Sequence, residues 1–388
     1  MKNSKSMTLV MNEFIPVNEP CFAGNEKKYL SECIDSGWIS SEGPFVKKFE
    51  STYAKYLNVE YGLAVSSGTA AIETALYALG VKKGDEVIMP SFTIISCAIA
   101  CLRLGAKPVL VDIEPDTWTM DVSQVEGKIT DKTKVVMPVH MYGHAVDMDQ
   151  LFILKEKYGF LILEDAAEVH GAEYYSKYKG NKWLKCGAMG DIAATSFYAN
   201  KIISTGEGGM VLTDNKYYAD RAATYRNLCF SPERRFLHTD IGYNFRMTNM
   251  QAAVGLAQLE QIEEFINRKR HIATLYKKEI SALQGIHFMQ VKSWAKSVFW
   301  MYCVILEKET DIDANKMMTR LKQHNVDTRP FFCGLHEQPA LSRQGLFLNE
   351  SYPHTSHASK YGFYLPSSIT LTNEQILRIT DALKKGLN

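Results

Sequence analysis

The 388-residue sequence contains no uninterrupted apolar run long enough to cross a bilayer, which takes about 20 predominantly apolar residues. The best candidate, Val87 to Leu102, is broken by Pro90, Ser91, Thr93 and Ser96. The N-terminal stretch carries Lys2 and Lys5, but its apolar run ends at Met11, before Asn12 and Glu13, too short for the apolar region of a secretory leader. There is no C-x-x-C pair. The eight cysteines (Cys21, Cys33, Cys97, Cys101, Cys186, Cys229, Cys303, Cys333) are scattered. A disulfide framework or a cysteine-ligated metal is therefore not expected, and a reducing cytoplasmic setting fits best. An excess of one charge is also missing, because 44 Lys+Arg against 43 Asp+Glu leave +1. A nucleic-acid binder normally carries a basic excess or stripe, so neither nucleic acid nor membrane is an expected partner. No repeat, low-complexity tract or Gly/Ser linker interrupts the chain.

What is present is an ordinary globular composition, 46% hydrophobic and 22% charged, long enough for two or three domains at roughly 150 residues each. Short apolar runs at 62–65, 86–89, 108–112, 135–139, 160–164, 193–198 and 209–213 read as strands, several apolar nearly throughout, as strands covered on both faces are. Helix-period segments lie between them, as at 69–79 and 148–158. The alternation predicts an α/β fold with a mostly parallel seven-stranded sheet flanked by helices. A single long helix is expected over 249–273, and residues 274–388 read as a smaller α+β domain, with a strand at 299–305 and helices at 314–324 and 372–383. The expected organisation is an N-terminal arm (1–30), a large domain (31–265) and a small C-terminal domain (266–388).

Three features fall at the ends of predicted parallel strands, where open α/β sheets gather their ligands. Ser66-Ser67-Gly68-Thr69 joins a strand to a helix. Its first helical N–H groups favour an anion such as phosphate, although alone the turn reads as an ordinary N-cap. Leu161-Ile162-Leu163-Glu164-Asp165 delivers two acids at a strand end. Asp165 either holds a protonated heteroaromatic nitrogen or caps the next segment. Ser196-Phe197-Tyr198-Ala199-Asn200-Lys201 is followed by the glycine-rich Gly206-Glu207-Gly208-Gly209 and matches neither a Walker nor a dinucleotide motif. A lysine between a buried strand and Ile202-Ile203 is desolvated, which lowers its pKa and suits it to Schiff-base chemistry. Lysine, carboxylate and anion turn together form the constellation that a pyridoxal phosphate (PLP) site needs.

With these residues in view, the chain resembles the nucleotide-sugar aminotransferases of the DegT/StrS group, fold-type I PLP enzymes, from about Pro16 to its C-terminus. The resemblance is carried by Trp38-Ile39-Ser40, Ser67-Gly68-Thr69, Gly84-Asp85-Glu86-Val87, Glu164-Asp165-Ala166-Ala167, Ser196-Phe197 with Lys201, the glycine-rich turn, and Gly242-Tyr243-Asn244-Phe245-Arg246-Met247. Asn200-Lys201, Asn244 to Asn249, Phe299-Trp300-Met301-Tyr302 and Arg329-Pro330-Phe331 point to a subgroup acting on GDP-linked sugars.

The resemblance implies PLP bound covalently to Lys201, with pyridoxamine phosphate (PMP) as intermediate, and Lys201 and Asp165 as catalytic residues. It implies Ser67, Gly68, Thr69 and Ser196 at the phosphate, Glu168 near the ring hydroxyl where many relatives carry Gln, and Asn244 reaching the cofactor phosphate of a partner subunit in a homodimer. The implied reaction moves an amino group from L-glutamate to C4 of a nucleotide-linked 4-keto-6-deoxy sugar. GDP-4-keto-6-deoxy-D-mannose is the first choice, then a dTDP- or UDP-linked 4-keto-6-deoxyglucose, then a 3-keto sugar. A PLP-binding regulatory protein without turnover is the alternative from another class. An intact Lys201 and the lack of a basic DNA-binding element count against it.

Relatives often carry an aromatic residue after the threonine at position 93. Here Ile94 follows, so either Phe92 substitutes or an aliphatic contact suffices. The stretch Glu173–Lys185 is longer than usual and reads as a surface hairpin. Candidates for the sugar nucleotide are His170, Arg329, His336, and Arg234 or Arg235, since a guanidinium fork matches a diphosphate. On a strand, Trp300 and Tyr302 would alternate with Phe299 and Met301, leaving one pair as core.

Overall fold

The computed structural model describes residues 13–234 and 236–387. The predicted arm therefore falls partly outside the described residues, as do the lysines at 2 and 5 and Arg235. Seven strands form the main sheet: β1 (Tyr61–Val65), β2 (Glu86–Pro90), β3 (Lys107–Val111), β4 (Thr133–Val136), β5 (Leu161–Asp165), β8 (Ile192–Ser196) and β9 (Gly209–Thr213). Their order is β1-β9-β8-β5-β4-β2-β3. From β3 through β8 every pairing is parallel, whereas β9 runs antiparallel to both neighbours. All seven predicted strands are present. β2, β8 and β9 are buried along their whole length, which explains their largely apolar sequences. β6 (Glu173–Ser176) and β7 (Lys182–Lys185) are the expected hairpin, and β11 (Ala295–Lys296) adds to its edge.

The first two helices, α1 (Glu26–Ser36) and α2 (Pro44–Leu57), precede β1. Helix α3 (Gly68–Ala78) follows it and packs across β8 and β9. Helices α4 (Ser96–Arg103), α5 (Met148–Tyr158) and α6 (Lys216–Tyr225) complete the flanks. Cys97 and Cys101 are buried on one face of α4. The single helix expected over 249–273 is two helices, α7 (Asn249–Leu259) and α8 (Ile262–Ile280). The break falls where Glu260 turns to accept hydrogen bonds from Asn25 Nδ2 (2.7 Å) and Tyr29 Oη (2.6 Å).

Helix α8 contributes Phe265 and Ile266 to the core around the main sheet. Its later turns contribute Ile272, Tyr276 and Ile280 to a second core. That second core lies against an antiparallel sheet ordered β10-β12-β14-β13, from Ile286–Phe288, Tyr302–Leu306, Gly362–Leu365 and Arg329–Pro330. The strand expected from Phe299 begins only at Tyr302, because Phe299 has a left-handed φ of 47°. No helix among the described residues is long and apolar enough to cross a membrane.

Asn249, at the start of α7, ties the first two helices to α7. Its Oδ1 accepts from Phe45 N (2.8 Å), and its Nδ2 donates to Trp38 O (2.6 Å) and reaches Cys33 Sγ (3.2 Å). The side chain is 1% exposed, so water cannot replace these bonds. Asn249→Ala is expected to cost about 2–4 kcal/mol, the sum of two stranded buried backbone groups. Thermal unfolding checks this; a melting temperature equal to wild type would show that the helices are held otherwise.

Candidate active site

β1, β5 and β8 bring their carboxyl ends to one cavity of about 310 Å³. From β1 comes the turn Ser67-Gly68-Thr69, which opens α3. Ser67 Oγ accepts from Ala70 N (3.1 Å) and caps the helix. The Gly68 and Thr69 N–H groups precede the first helical hydrogen bonds and are available to an anion. Thr69 Oγ1 lies 2.8 Å from Ser96 Oγ, and all four residues line the cavity with Ser196. A Cβ on Gly68 would stand 2.8 Å from Ser196 Cβ, and one on Gly209 would stand 2.4 Å from Ser67 O. Both glycines are required for the turn and β9 to approach so closely.

β5 ends in two acids with separate tasks. Glu164 points away from the cavity and is fully buried. Val146 N donates to His140 Nδ1 (3.0 Å), so the neutral imidazole carries its proton on Nε2 and donates it to Glu164 Oε2 (2.9 Å). Glu164 also accepts from Gly187 N, Met189 N and Gly190 N at 2.6–2.9 Å. Burial alone would raise its pKa, but these donors outweigh burial and hold it below the usual value. Glu164 thereby fixes the loop that leads into β8.

Asp165 faces the cavity and is 2% exposed. Its Oδ1 accepts from Ala167 N (3.0 Å) and its Oδ2 from the Cys97 thiol (3.3 Å). Burial pushes its pKa up, against the Ala167 amide, the Cys97 thiol and the nearby Lys201 charge. Glu168 receives Tyr142 N on Oε2 (2.8 Å) and lies 3.5 Å from Lys201 Nζ through Oε1. Burial raises Glu168 to about 7 although Lys201 opposes the shift.

Lys201 follows β8. Ile202 and Ile203 are buried on one side of it, and Phe197 closes the loop by donating to Gly208 O (2.8 Å) and accepting from Thr205 N (2.9 Å). These anchors hold the lysine inside, with its side chain only 10% exposed. Burial lowers its pKa, and Glu168 and Asp165 pull it back up. The Trp300 ring covers Nζ at 3.7 Å.

An anion cradle, a buried carboxylate and a desolvated lysine in one cavity match the phosphate, ring nitrogen and aldehyde of PLP. Asn200 Oδ1, buried at the same cavity, has no hydrogen-bond partner within the protein. The residues present therefore fit the group. Among the described residues, no cluster of His, Cys, Asp or Glu is arranged to hold a metal ion.

Several expected site residues lie elsewhere. Phe92 is fully buried beneath the cavity against Phe331 and Phe332, and Ile94 lines the cavity in its place. His170 is 1% exposed, bonded to Tyr53 Oη (2.7 Å) and to Ser196 O (2.8 Å). Burial pushes it down to about 4, so it is a neutral core residue that props up β8, not a substrate contact. His336 is bonded to Ser91 Oγ (2.7 Å) and Ser356 Oγ (3.1 Å) and does not line the cavity. Arg329 pairs with Asp327 (2.6 Å) and stands opposite Tyr364, which does line it. Arg234 and Asn244 are exposed and outside this cavity. Sequence reasoning missed Cys97, Trp300, Phe332 and Tyr364. The left-handed Phe299 ends the alternation expected to separate Trp300 and Tyr302 from Phe299 and Met301 as core and exposed pairs. Nothing in the spacing signals that the Cys97 thiol reaches Asp165.

The model of the DegT/DnrJ/EryC1/StrS aminotransferase family matches residues 20–384. The chain is 41% identical over 374 residues to a GDP-perosamine synthase of Escherichia coli O157:H7, covering 96% of this chain and 98% of that one. It is 37% identical to the enzyme of the same name from Vibrio cholerae, at 96% and 99% coverage. Among solved structures it is similar to Streptococcus pneumoniae Spr1654 in its PLP form, with 25% identity, a TM-score of 0.88 and coverage of 97% and 99%.

Glu164 yields a pH prediction. Its folded-state pKa is lowered, so its contribution to stability is present above the unfolded value of about 4.3 and is lost as pH falls through the folded one. Glu164→Gln is expected to cost about 2–4 kcal/mol at neutral pH by turning an amide NH2 toward two of the four donors that the carboxylate satisfies. Below roughly pH 4 the wild type should lose melting temperature more steeply than the variant. Parallel curves would show that other carboxylates carry the acid sensitivity.

Proposed function

Because this chain belongs to the DegT/DnrJ/EryC1/StrS aminotransferase family of PLP-dependent transaminases, we propose that it moves the amino group of L-glutamate to C4 of GDP-4-keto-6-deoxy-D-mannose, giving GDP-perosamine. The observation that carries this reading is full-length identity of 37–41% to enzymes named for that product. The same reading divides the chain near residue 265 into a large PLP-binding domain and a small C-terminal one.

When bound, PLP supplies an electron sink for the carbanion formed at the amino donor's Cα. In this reading Lys201 Nζ would hold the cofactor covalently and would serve as the base that moves the proton at the donor carbon. Its desolvated, lowered pKa suits both tasks. Asp165 holds the proton on the ring nitrogen; Cys97 and Ala167 orient its carboxylate for that purpose. Gly68, Thr69 and Ser196 hold the phosphate, with Ser67 shaping the turn. Glu168 would meet the ring hydroxyl, and its Oε1 lies 3.5 Å from Lys201 Nζ. Ile94 takes the place at the ring first given to Phe92. Tyr364, Phe332 and Arg329 stand where the sugar nucleotide would enter. Mass analysis after incubating a panel of 4-keto sugar nucleotides with L-glutamate tests the substrate. Amination of the GDP-linked sugar is expected; an inert GDP sugar beside a reactive dTDP sugar would overturn the choice.

The working unit is a homodimer. Asn244 lies outside its own chain's cavity, and an exposed apolar surface that includes Phe22, Ile34, Trp38 and Ile39 suits a second copy. Asn244 would then reach the partner's cofactor phosphate. Chains carrying Lys201→Ala or Asn244→Ala, mixed and allowed to re-pair, form heterodimers about half the time, each with one intact site of two. Activity at limiting PLP should recover to roughly a quarter of wild type. Recovery no better than the mean of the parents, with exchange verified, would place Asn244 outside the shared site.

A further inference from the structure

Three consecutive basic residues on α8 donate to carbonyls of two segments, 297–300, which carries the cavity-lining Trp300, and 367–371, just after the cavity-lining Tyr364. Arg268 reaches Ile369 O (3.2 Å) and Leu371 O, and Arg270 reaches Ser297 O (3.1 Å). Between them Lys269 is 3% exposed, and its Nζ donates to Trp300 O (2.8 Å) and Ser367 O. An ammonium buried without a carboxylate is expensive, and two loop carbonyls are the acceptors the structure gives it.

Trp300 is held at both ends. Its carbonyl accepts from Lys269, and its Nε1 donates to Asn200 O (2.7 Å), one residue before Lys201. Between these two bonds the indole lines the cavity and lies 3.7 Å from Lys201 Nζ. The left-handed Phe299 turns Trp300 out of the following strand, so the β-ladder does not orient it. Its neighbours do. Ser367 belongs to the same arrangement, since its Oγ accepts from Tyr302 N (2.8 Å) while its carbonyl accepts from Lys269.

We propose that Lys269 is a positioning residue of the active site: by holding the Trp300 carbonyl from behind, it keeps the indole face against Lys201. The face of an indole attracts a cation. A fixed Trp300 therefore favours the ammonium form of the free lysine, against the desolvation that burial imposes. Burial drives Lys269 itself down to about 7, so its bonds to the two carbonyls operate with little reserve. A lysine that merely pins two loops would stabilise the fold without reaching the cofactor.

This inference rests on Lys201 as the PLP anchor, and the test separates the two. Holoenzymes of wild type, Lys269→Met, Trp300→Phe and the double variant are compared by visible circular dichroism of bound PLP and by the rate at which L-glutamate bleaches the visible band. No sugar substrate is needed. Thermal unfolding is measured in parallel. A wild type without a visible band defeats the reading of Lys201. Given a band, Lys269→Met should weaken the dichroism at least about twofold and slow bleaching about three- to thirtyfold, the range of a cation–π contact. Trp300→Phe should act similarly, and the double variant should be slower than the worse single by no more than about twofold, as expected for residues acting through one contact. If Lys269→Met does not fold, Lys269→Gln, which keeps one donor, takes its place. A lowered melting temperature with unchanged dichroism and bleaching, or fully multiplicative effects in the double variant, overturns the proposal.

Discussion

The site depends on the burial of one amine beside two carboxylates. Lys201, Asp165 and Glu168 lie in a cavity whose walls exclude most water, and each is pushed toward its neutral form. Isolated charges there would be costly; their mutual proximity limits the shift. The result is an amine whose pKa burial lowers, one carboxyl at about 7 beside it, and one carboxylate steadied by an amide and a thiol. In the proposed function a protonated ring nitrogen would answer Asp165, and the N–H groups opening α3 would answer a phosphate. The cofactor completes a charge arrangement that the chain alone leaves strained.

That arrangement requires rigid surroundings, and much of the polar interior provides them. Glu164 is next to Asp165 in sequence but serves a different end, pulling the loop before β8 onto the sheet through three amides and His140. His170 supports Ser196 from the opposite side. Gly68 and Gly209 allow the phosphate turn, β8 and β9 to approach within a distance that any side chain would prevent. Gln251 completes the capping of α7 and also donates to Glu207 O (2.8 Å), tying the glycine-rich turn to that helix.

The large sheet was legible in the sequence because strands buried on both faces are apolar throughout and end in chemically distinctive residues. Asp165, Lys201 and Ser67-Gly68-Thr69 could be picked out for that reason. What stayed hidden depends on contacts between distant segments. The antiparallel turn of β9 leaves no mark in a strand that is buried either way. The break at Glu260 comes from Asn25 and Tyr29, more than 230 residues away. Residue type alone could not separate His170, a neutral prop in the core, from a ligand-binding histidine. His336 likewise takes its partners from Ser91 and Ser356, on remote segments.

The cavity is built from two sources, and this bears on how chemistry and specificity divide. Asp165 and Ser196 end strands of the main sheet, and Glu168 and Lys201 follow those strands in the loops just beyond. Trp300, Phe332 and Tyr364 come from segments beside the second sheet, yet their side chains pack on the core around the main sheet. Helix α8 spans both cores and carries the basic residues that hold the second group in place. Its early turns are fixed by the large sheet and its later turns by the small one. The face toward the substrate can therefore vary while α8 keeps it in register with the lysine.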